Sequence, residues 1–505
     1  MSDSRSKNSI KNMSMGFVYQ TIQLILGFVS RTVFIRTLGT EYLGLNGIFS
    51  DVLQLLSMAD LGFSSAMAYS FYKPLAEGDN EKIASLIAFY KSIYNKIAIG
   101  VTVIGLACIP FLKYIVNTEE DIPHLEIYYL FSLAGVVISY LFVYKTTLLT
   151  ADQKDYKVVK IRTITSVTKV LLQIAVLYLF RNYILYLAIG VILNFLNNLI
   201  ASLRAQKEYP YIKGKHKSID KEVQKSIFEN IKSVFIYKIS GTLFNATDNI
   251  LISMIVGTAA VGLYSNYLMV SSKLLLVEQI IFSALTASVG NVIAKEAATK
   301  RYKIFQAIQS ASFILCGIIV SVYCIMINDI ISVWLGQEFL FPIITVWAIT
   351  LNTYFNCVLQ PLWIFRDATG MYLRTKYIMF IGAIINLVLS ILLGNIIGVT
   401  GIIFASALAR ISSYFWFEPK ILFKEYFEKR ALIYYISILK NFLIVFAVVF
   451  LLSFVSSGIA VNSWGMLIAK GIVIGCICTV VFLLTYMKTE GFQLILNKVK
   501  SYIHK

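Results

Sequence analysis

Fourteen apolar runs, each about twenty residues or longer, follow one another along this chain. They lie at 13–37, 42–71, 88–112, 125–149, 157–180, 183–206, 232–256, 261–291, 305–327, 340–364, 373–396, 399–422, 434–456 and 464–487. A hydrocarbon core of about 30 Å takes roughly 20 helical residues to cross. Inside it, a helix is the form that satisfies all the backbone groups of such a run from within. The expected fold is therefore an all-α polytopic membrane protein with 14 transmembrane helices. Composition agrees: 58% of the 505 residues are hydrophobic, 14% are charged, and the mean hydropathy is +0.74. A soluble protein of this size needs far more polar surface.

The net charge of +18 invites a nucleic-acid reading, but the position of the charges argues against one. Of the 45 Lys and Arg, only Arg36, Lys113 and Arg181 fall in loops on one side of the expected membrane. The other side, with the N-terminus and the tail, carries 34, and the remaining 8 lie within the runs. This basic bias places both termini in the cytoplasm. The polar, basic stretch Met1 to Met15 precedes a span too long for a cleaved signal peptide, so it reads as the lead into a first membrane helix. Six cysteines all lie in apolar runs without a C-x-x-C pair, and the three histidines lie in loops or the tail. No metal site is expected.

The chain repeats itself. Gly39-Thr40-x-x-x-Gly44-Leu45 returns as Gly257-Thr258-x-x-x-Gly262-Leu263, 218 residues further on. The same offset carries Phe17 and Tyr19 onto Phe235 and Tyr237, and Asp60 onto Glu278. Each copy spans six runs, an even number, so both copies have one orientation. They are expected to form two six-helix lobes related by a pseudo-two-fold axis along the membrane normal. The expected domains are an N-terminal lobe (1–206), a basic cytoplasmic linker with an amphipathic helix (207–231), a second lobe (232–424), and two accessory spans with a tail (425–505).

Charges within a span cost at least about 2.5 kcal/mol each, so they need a reason. The seventh run carries Lys238, Gly241, Thr242, Asn245, Asp248 and Asn249 on one helical stripe. The equivalent positions of the first run are Gln20, Gln23, Leu24, Gly27, Ser30 and Arg31. The second run adds Asn46, Ser50, Ser57 and Asp60; the eighth adds Lys273 and Glu278. Asn352, Asn356 and Gln360 share a face of the tenth run, Arg410 lies in the twelfth, and Lys169 is in the middle of the fifth. Single buried Asn or Ser residues commonly join helices. Opposite charges such as Lys238, Asp248, Lys273 and Glu278 can also simply neutralise one another. Stripes that recur in both copies fit better with a shared water-filled cavity. Its candidate cations, Arg31, Lys238, Lys273, Arg410 and Lys169, point to an anionic cargo. Asp60, Asp248 and Glu278 are candidate carboxylates for H⁺ or Na⁺ coupling. No other cofactor is expected.

Chemistry of the enzymatic kind has no foothold. The G-x-x-x-x-G-K-[ST] phosphate loop is missing, the apolar runs contain no histidine, and the longest outer loop is about a dozen residues. A carrier is expected, not an enzyme.

Arg31-Thr-x-Phe-Ile-Arg-Thr-Leu-Gly-x-Glu-Tyr-Leu-Gly-Leu-Asn-Gly-Ile-Phe, followed by Ala59-Asp-Leu-Gly-Phe-Ser-Ser-Ala66, resembles bacterial polysaccharide repeat-unit flippases of the Wzx type. These share a superfamily with lipid II flippases and with multidrug and toxin extrusion (MATE) transporters. The resemblance implies a MATE-like, two-lobed carrier of the bacterial cytoplasmic membrane that works by alternating access. The implied cargo is an undecaprenyl-diphosphate-linked oligosaccharide, for capsule, O-antigen or a related polymer, moved to the outer leaflet. Membrane lipids and polysaccharide polymerase machinery are the implied partners. Arg31 fits the diphosphate-binding role, with Lys273 and Arg410 behind it. Three alternatives compete: an ion-coupled exporter of drugs or small metabolites, a lipid II flippase-like carrier of peptidoglycan precursors, and a membrane scaffold for polysaccharide assembly.

Overall fold

A computed structural model describes residues 2–60, 63–119, 121–213, 219–283 and 285–503. It is helical throughout, with no strand among the described residues. Contacts divide the chain into two compact units, Met1–Gly262 and Leu263–Lys505.

The first unit contains α1 (Ser2–Leu56), α2 (Phe63–Glu77), α3 (Asn80–Ala107), a one-turn α4 (Leu112–Ile115), α5 (Leu125–Tyr140), α6 (Val143–Ala151), α7 (Asp155–Phe180), α8 (Tyr183–Glu208), α9 (Lys221–Asn245) and α10 (Asp248–Ile255). Helix α11 (Thr258–Ser283) leads into the second unit. There follow α12 (Thr286–Lys295), α13 (Ala298–Trp334), α14 (Ile343–Val358), α15 (Gln360–Thr369), α16 (Tyr372–Ser412), α17 (Tyr414–Tyr426), α18 (Leu432–Ser456), α19 (Trp464–Tyr486) and α20 (Glu490–Ile503).

Among the described residues, nine helical stretches are long and apolar enough to cross a membrane, and up to eleven if the bent pairs α5–α6 (50°) and α14–α15 (43°) each make one span. The protein is thus a multi-pass membrane protein. Two stretches, Lys11–Leu56 of 46 residues and Leu373–Tyr426 of 54, are far longer than one crossing needs. Each is broken by a positive-φ glycine, Gly39 (φ 86°) in α1 and Gly398 (φ 59°) in α16. That break lets one continuous stretch serve two of the expected runs. The seventh expected run, 232–256, is not among the nine. It is split between α9 and α10 at Ala246 and Thr247, and its polar stripe lowers its apolarity. Helix α9 also starts at Lys221, so the amphipathic linker segment and the seventh run are one continuous helix. Linker residues 214–218, and Leu61 and Gly62 of the resemblance motif, lie outside the described residues.

The repeated turn has a geometric reason. Gly39 and Gly257 both hold positive φ, 86° and 137°, which L side chains rarely adopt. Five residues on, the two copies meet. A Cβ added at Gly44 would strike the Thr258 carbonyl, and one added at Gly262 would strike the Thr40 carbonyl. The Thr258 N–H donates to the Asn117 carbonyl at 2.7 Å, and its hydroxyl lies 2.9 Å from that of Ser253. The two glycines therefore face the two threonine carbonyls reciprocally, as a local two-fold would require.

Candidate functional site

Polar groups in the first unit collect between α1, α5, α7 and α8. Serines on α1, on the turn after it and on α5 hydrogen-bond back to the preceding helical turn: Ser50 to Asn46 O, Ser57 to Leu53 O, Ser132 to Tyr128 O. This satisfies their donors inside an apolar bundle. Asn194 Nδ2 donates to Gly135 O at 2.8 Å, and Gln173 Nε2 to Tyr186 O at 3.0 Å. Between these side chains lie two cavities, of about 520 and 390 Å³. Asn46, Ser50, Gln54 and Ser57 line the first, and Lys169, Gln173 and Gly190 line the second. Ser132, Gly135 and Asn194 belong to both.

One flank of this polar region is aromatic. Tyr183 donates its hydroxyl to Asn46 Oδ1 at 2.8 Å, and its ring meets Tyr128 at 4.7 Å and Tyr42 at 5.0 Å between centroids. Tyr186 packs edge-on to Phe34 at 5.1 Å. Arg31, half-buried, lies near Tyr186, which is hydrogen-bonded to Ser30.

The carboxylates of the second run face the seventh. Asp51 is hydrogen-bonded by Asn249 and has Asp248 nearby. Asp60 lies beside Lys238 and the Tyr94 hydroxyl. Lys238 therefore meets an opposite charge on the turn that follows α1, whereas Asp248 lies near the like-charged Asp51 of α1. The side chain of Asn245 lies outside the described residues. Gln20 and Gln23 are half-buried on the first arm of α1.

In the second unit the polar residues are scattered. Arg410 is 6% exposed and donates to Asn356 Oδ1 at 2.8 Å. Asn352 Nδ2 donates to Ile403 O at 2.6 Å, joining α14 to α16. Glu278 is fully buried beside Ser312 and Cys357. Lys273 and Gln360 are half-buried. A nearly wholly apolar cavity of about 340 Å³ lies among α13, α14, α16 and α18, lined by Trp347, Leu351, Phe404, Phe442 and Phe446 among others. No cluster suited to a metal ion occurs among the described residues.

The geometry brings together Lys169, Asn46 and residues that the sequence did not single out, namely Gln54, Ser132, Gln173, Tyr183, Tyr186 and Asn194. The signal for some of them was available. Lys169 and Gln173 are four apart on α7, and Gly190, Asn194 and Asn197 follow one another at helical spacing on α8. Asp51 and Tyr186 had no such pattern, because their partners come from distant helices.

A family model described as "Polysaccharide biosynthesis protein" matches residues 9–290, more than half of the chain. No curated protein matches. Among solved structures, a lipid II flippase, MurJ in an inward closed conformation, is 14% identical with a TM-score of 0.63, covering 93% of this chain and 99% of that one. An inward-facing multidrug resistance MATE transporter is 15% identical with a TM-score of 0.59, covering 78% and 93%. A mutant of the Vibrio cholerae MATE transporter VcmN is 12% identical with a TM-score of 0.51, covering 84% and 99%. These likenesses establish the MATE-like fold.

Proposed function

The chain belongs to the polysaccharide biosynthesis protein family, and from that premise we propose that it flips an undecaprenyl-diphosphate-linked oligosaccharide from the cytoplasmic to the outer leaflet. The observation that carries this reading is the pair of adjoining cavities walled by amides and hydroxyls inside an apolar bundle. A membrane protein keeps such groups in its spans for a polar cargo or pathway. Arg31 supplies the cation for the diphosphate, through paired N–H donors. The apolar cavity of the second unit offers a place for part of an isoprenoid chain. Alternating access carries the cargo across a bacterial cytoplasmic membrane in which both termini face the cytoplasm. An inside-negative potential favours the outward movement of an anion, by about 2.3 kcal/mol per charge per 100 mV. Glu278, enclosed in the second unit, is the leading candidate for H⁺ or Na⁺ coupling, with Asp60 and Asp248 behind it. Polymerase machinery would take the cargo on the outer face.

Complementation of a flippase-deficient bacterial strain tests this reading. The wild-type chain should restore surface polysaccharide. Arg31→Ala should abolish it at unchanged abundance in the membrane. Normal polysaccharide in Arg31→Ala would sink the role of that residue. Failure of the wild type, coupled with resistance to toxic cations that needs Asp60 and Glu278, would favour an ion-coupled exporter.

A further inference from the structure

We propose that Lys91, Lys145 and Lys213 together form a site for a phosphate group, supplied by a resident anionic lipid of the leaflet they adjoin. The occupant is not the cargo, and none of the three lysines lines either polar cavity. They come from three separate elements at the end of the first unit where α3 begins and α6 and α8 end. Lys91 lies in the first half of α3, Lys145 lies on α6, and Lys213 follows the short 3₁₀ turn Pro210–Ile212. Helix α3 packs against both α6 and that turn, which brings Lys91 and Lys213 within electrostatic reach of Lys145. Lys91 and Lys213 are exposed. Lys145 is half-buried beside the buried Tyr144, whose ring centroid is 5.6 Å from the Lys145 Nζ.

Three like charges gathered at one place call for an anion. Among the described residues, no ion pair reaches any of the three. The acids where α6 and α8 end are engaged elsewhere. Asp152 lies 2.7 Å from Lys154, and Glu208 lies 3.1 Å from Lys154 and 2.6 Å from Lys157. A lysine near the end of a span ordinarily reaches the membrane surface alone, along its own stem. Here packing draws three of them together from different elements, although repulsion would spread them. Their depth points to a lipid. Lys91 and Lys145 fall inside the expected runs 88–112 and 125–149, three and four residues from the ends, and Lys213 falls seven residues beyond the run 183–206. That is the level of the headgroups, where basic pockets between helices take lipid phosphates. Lysine holds a phosphate as a point charge, and a phosphate offers more oxygens to three ammonium groups than a carboxylate does.

The test uses the full chain in nanodiscs, either of phosphatidylcholine alone or of phosphatidylcholine mixed with phosphatidylglycerol. Native mass spectrometry reads the retained lipid, and thermal unfolding reads stability. No cargo is present, so the outcome is independent of the flippase reading. The wild type should retain phosphatidylglycerol in preference to phosphatidylcholine. Each of Lys91→Gln, Lys145→Gln and Lys213→Gln should weaken that retention roughly fivefold, the scale of one lysine near an anionic surface. Lys145→Arg should keep it. In phosphatidylcholine alone, Lys145→Gln should melt at or above the wild type, because it relieves repulsion. Lys303→Gln, which removes an exposed lysine of α13, controls for charge alone and should leave retention unchanged. An equal loss in Lys303→Gln would overturn the inference in favour of diffuse surface charge. A wild type without preference would overturn it, as would a Lys145→Gln that melts well below the wild type in phosphatidylcholine alone. Stabilisation by inorganic phosphate in phosphatidylcholine, lost in Lys145→Gln and unaccompanied by any preference for phosphatidylglycerol, would overturn the lipid as the source and give the site to free phosphate.

Discussion

Adding one methyl group at Gly262 should prise apart the two repeated turns. The Cβ of Gly262→Ala would meet the backbone carbonyl of Thr40, and that of Gly44→Ala the carbonyl of Thr258. A backbone carbonyl cannot rotate away as a flexible side-chain end can, so the helices themselves must separate. Overpacking of this kind costs roughly 1–3 kcal/mol, a factor of about 5 to 150 in any equilibrium that requires the contact. Because the contact is reciprocal, the two single substitutions should cost similar amounts. The double substitution should cost less than their sum, since helices already separated by one methyl accommodate the second. Thermal unfolding of the purified protein in detergent measures the loss. Gly100→Ala is the control: nothing lies within 4 Å of its Cβ position in α3, so it should stabilise by about 0.5–1 kcal/mol. Melting temperatures for Gly44→Ala and Gly262→Ala at or above that of Gly100→Ala would refute the interlock, and a strictly additive double substitution would refute the shared contact.

Two further outcomes follow from charged contacts. Arg366 Nη1 lies 3.3 Å from Oε1 of Glu418, which is fully buried, so Arg366→Met should destabilise the second unit by about 3–5 kcal/mol; adding Glu418→Leu should recover much of that, read from the same unfolding curves. In the connection between α6 and α7, Lys154 is partly desolvated, but its bonds to Asp152 and Glu208 outweigh this and raise its pKa; burial and then the bond to Asp152 raise that of Tyr209. Both groups hold their protons more tightly in the folded state, so their contribution is full below the unfolded values of about 10 and is lost as pH rises through the folded ones. Melting temperature should fall above about pH 10, and by less in Tyr209→Phe, which removes the 2.7 Å bond to Asp152.

The helices were legible because the membrane leaves a long apolar run few alternatives. Broken helices were harder. Ala246 and Thr247 interrupt the seventh run, and nothing in its apolar content marks the point where α9 ends. The turns at Gly39 and Gly257 could be read from the repeat, since an offset shared by two glycines implies a shared backbone demand. Their interlock could not, because it depends on which faces the folded helices present. Lys169 and Asn46 were visible as polar residues in apolar runs. Their neighbours Tyr186 and Ser132 were not, since tyrosine and serine are ordinary on a helix until a distant helix supplies the other wall.

The repeat also explains why a polar stripe is a weak guide to a site. Arg31 and Asn249 occupy equivalent positions of the two copies, yet the neighbours described for each differ. Arg31 lies near Tyr186 of α8, whereas Asn249 bonds Asp51 on the second arm of α1 and lies under Gly47. A duplicated sequence preserves the backbone demands of its turns, because φ at Gly39 and Gly257 is local to the chain. It does not preserve what a side chain meets, because that depends on which helices pack against each copy. The stripe of the seventh run is therefore absorbed in part by contacts with Asp51 and Asp60. The cavities form instead where α1, α5, α7 and α8 bring hydroxyls and amides together around Lys169. Two copies of one scaffold can thus divide the labour, with the turns keeping the architecture alike and the side chains free to differ.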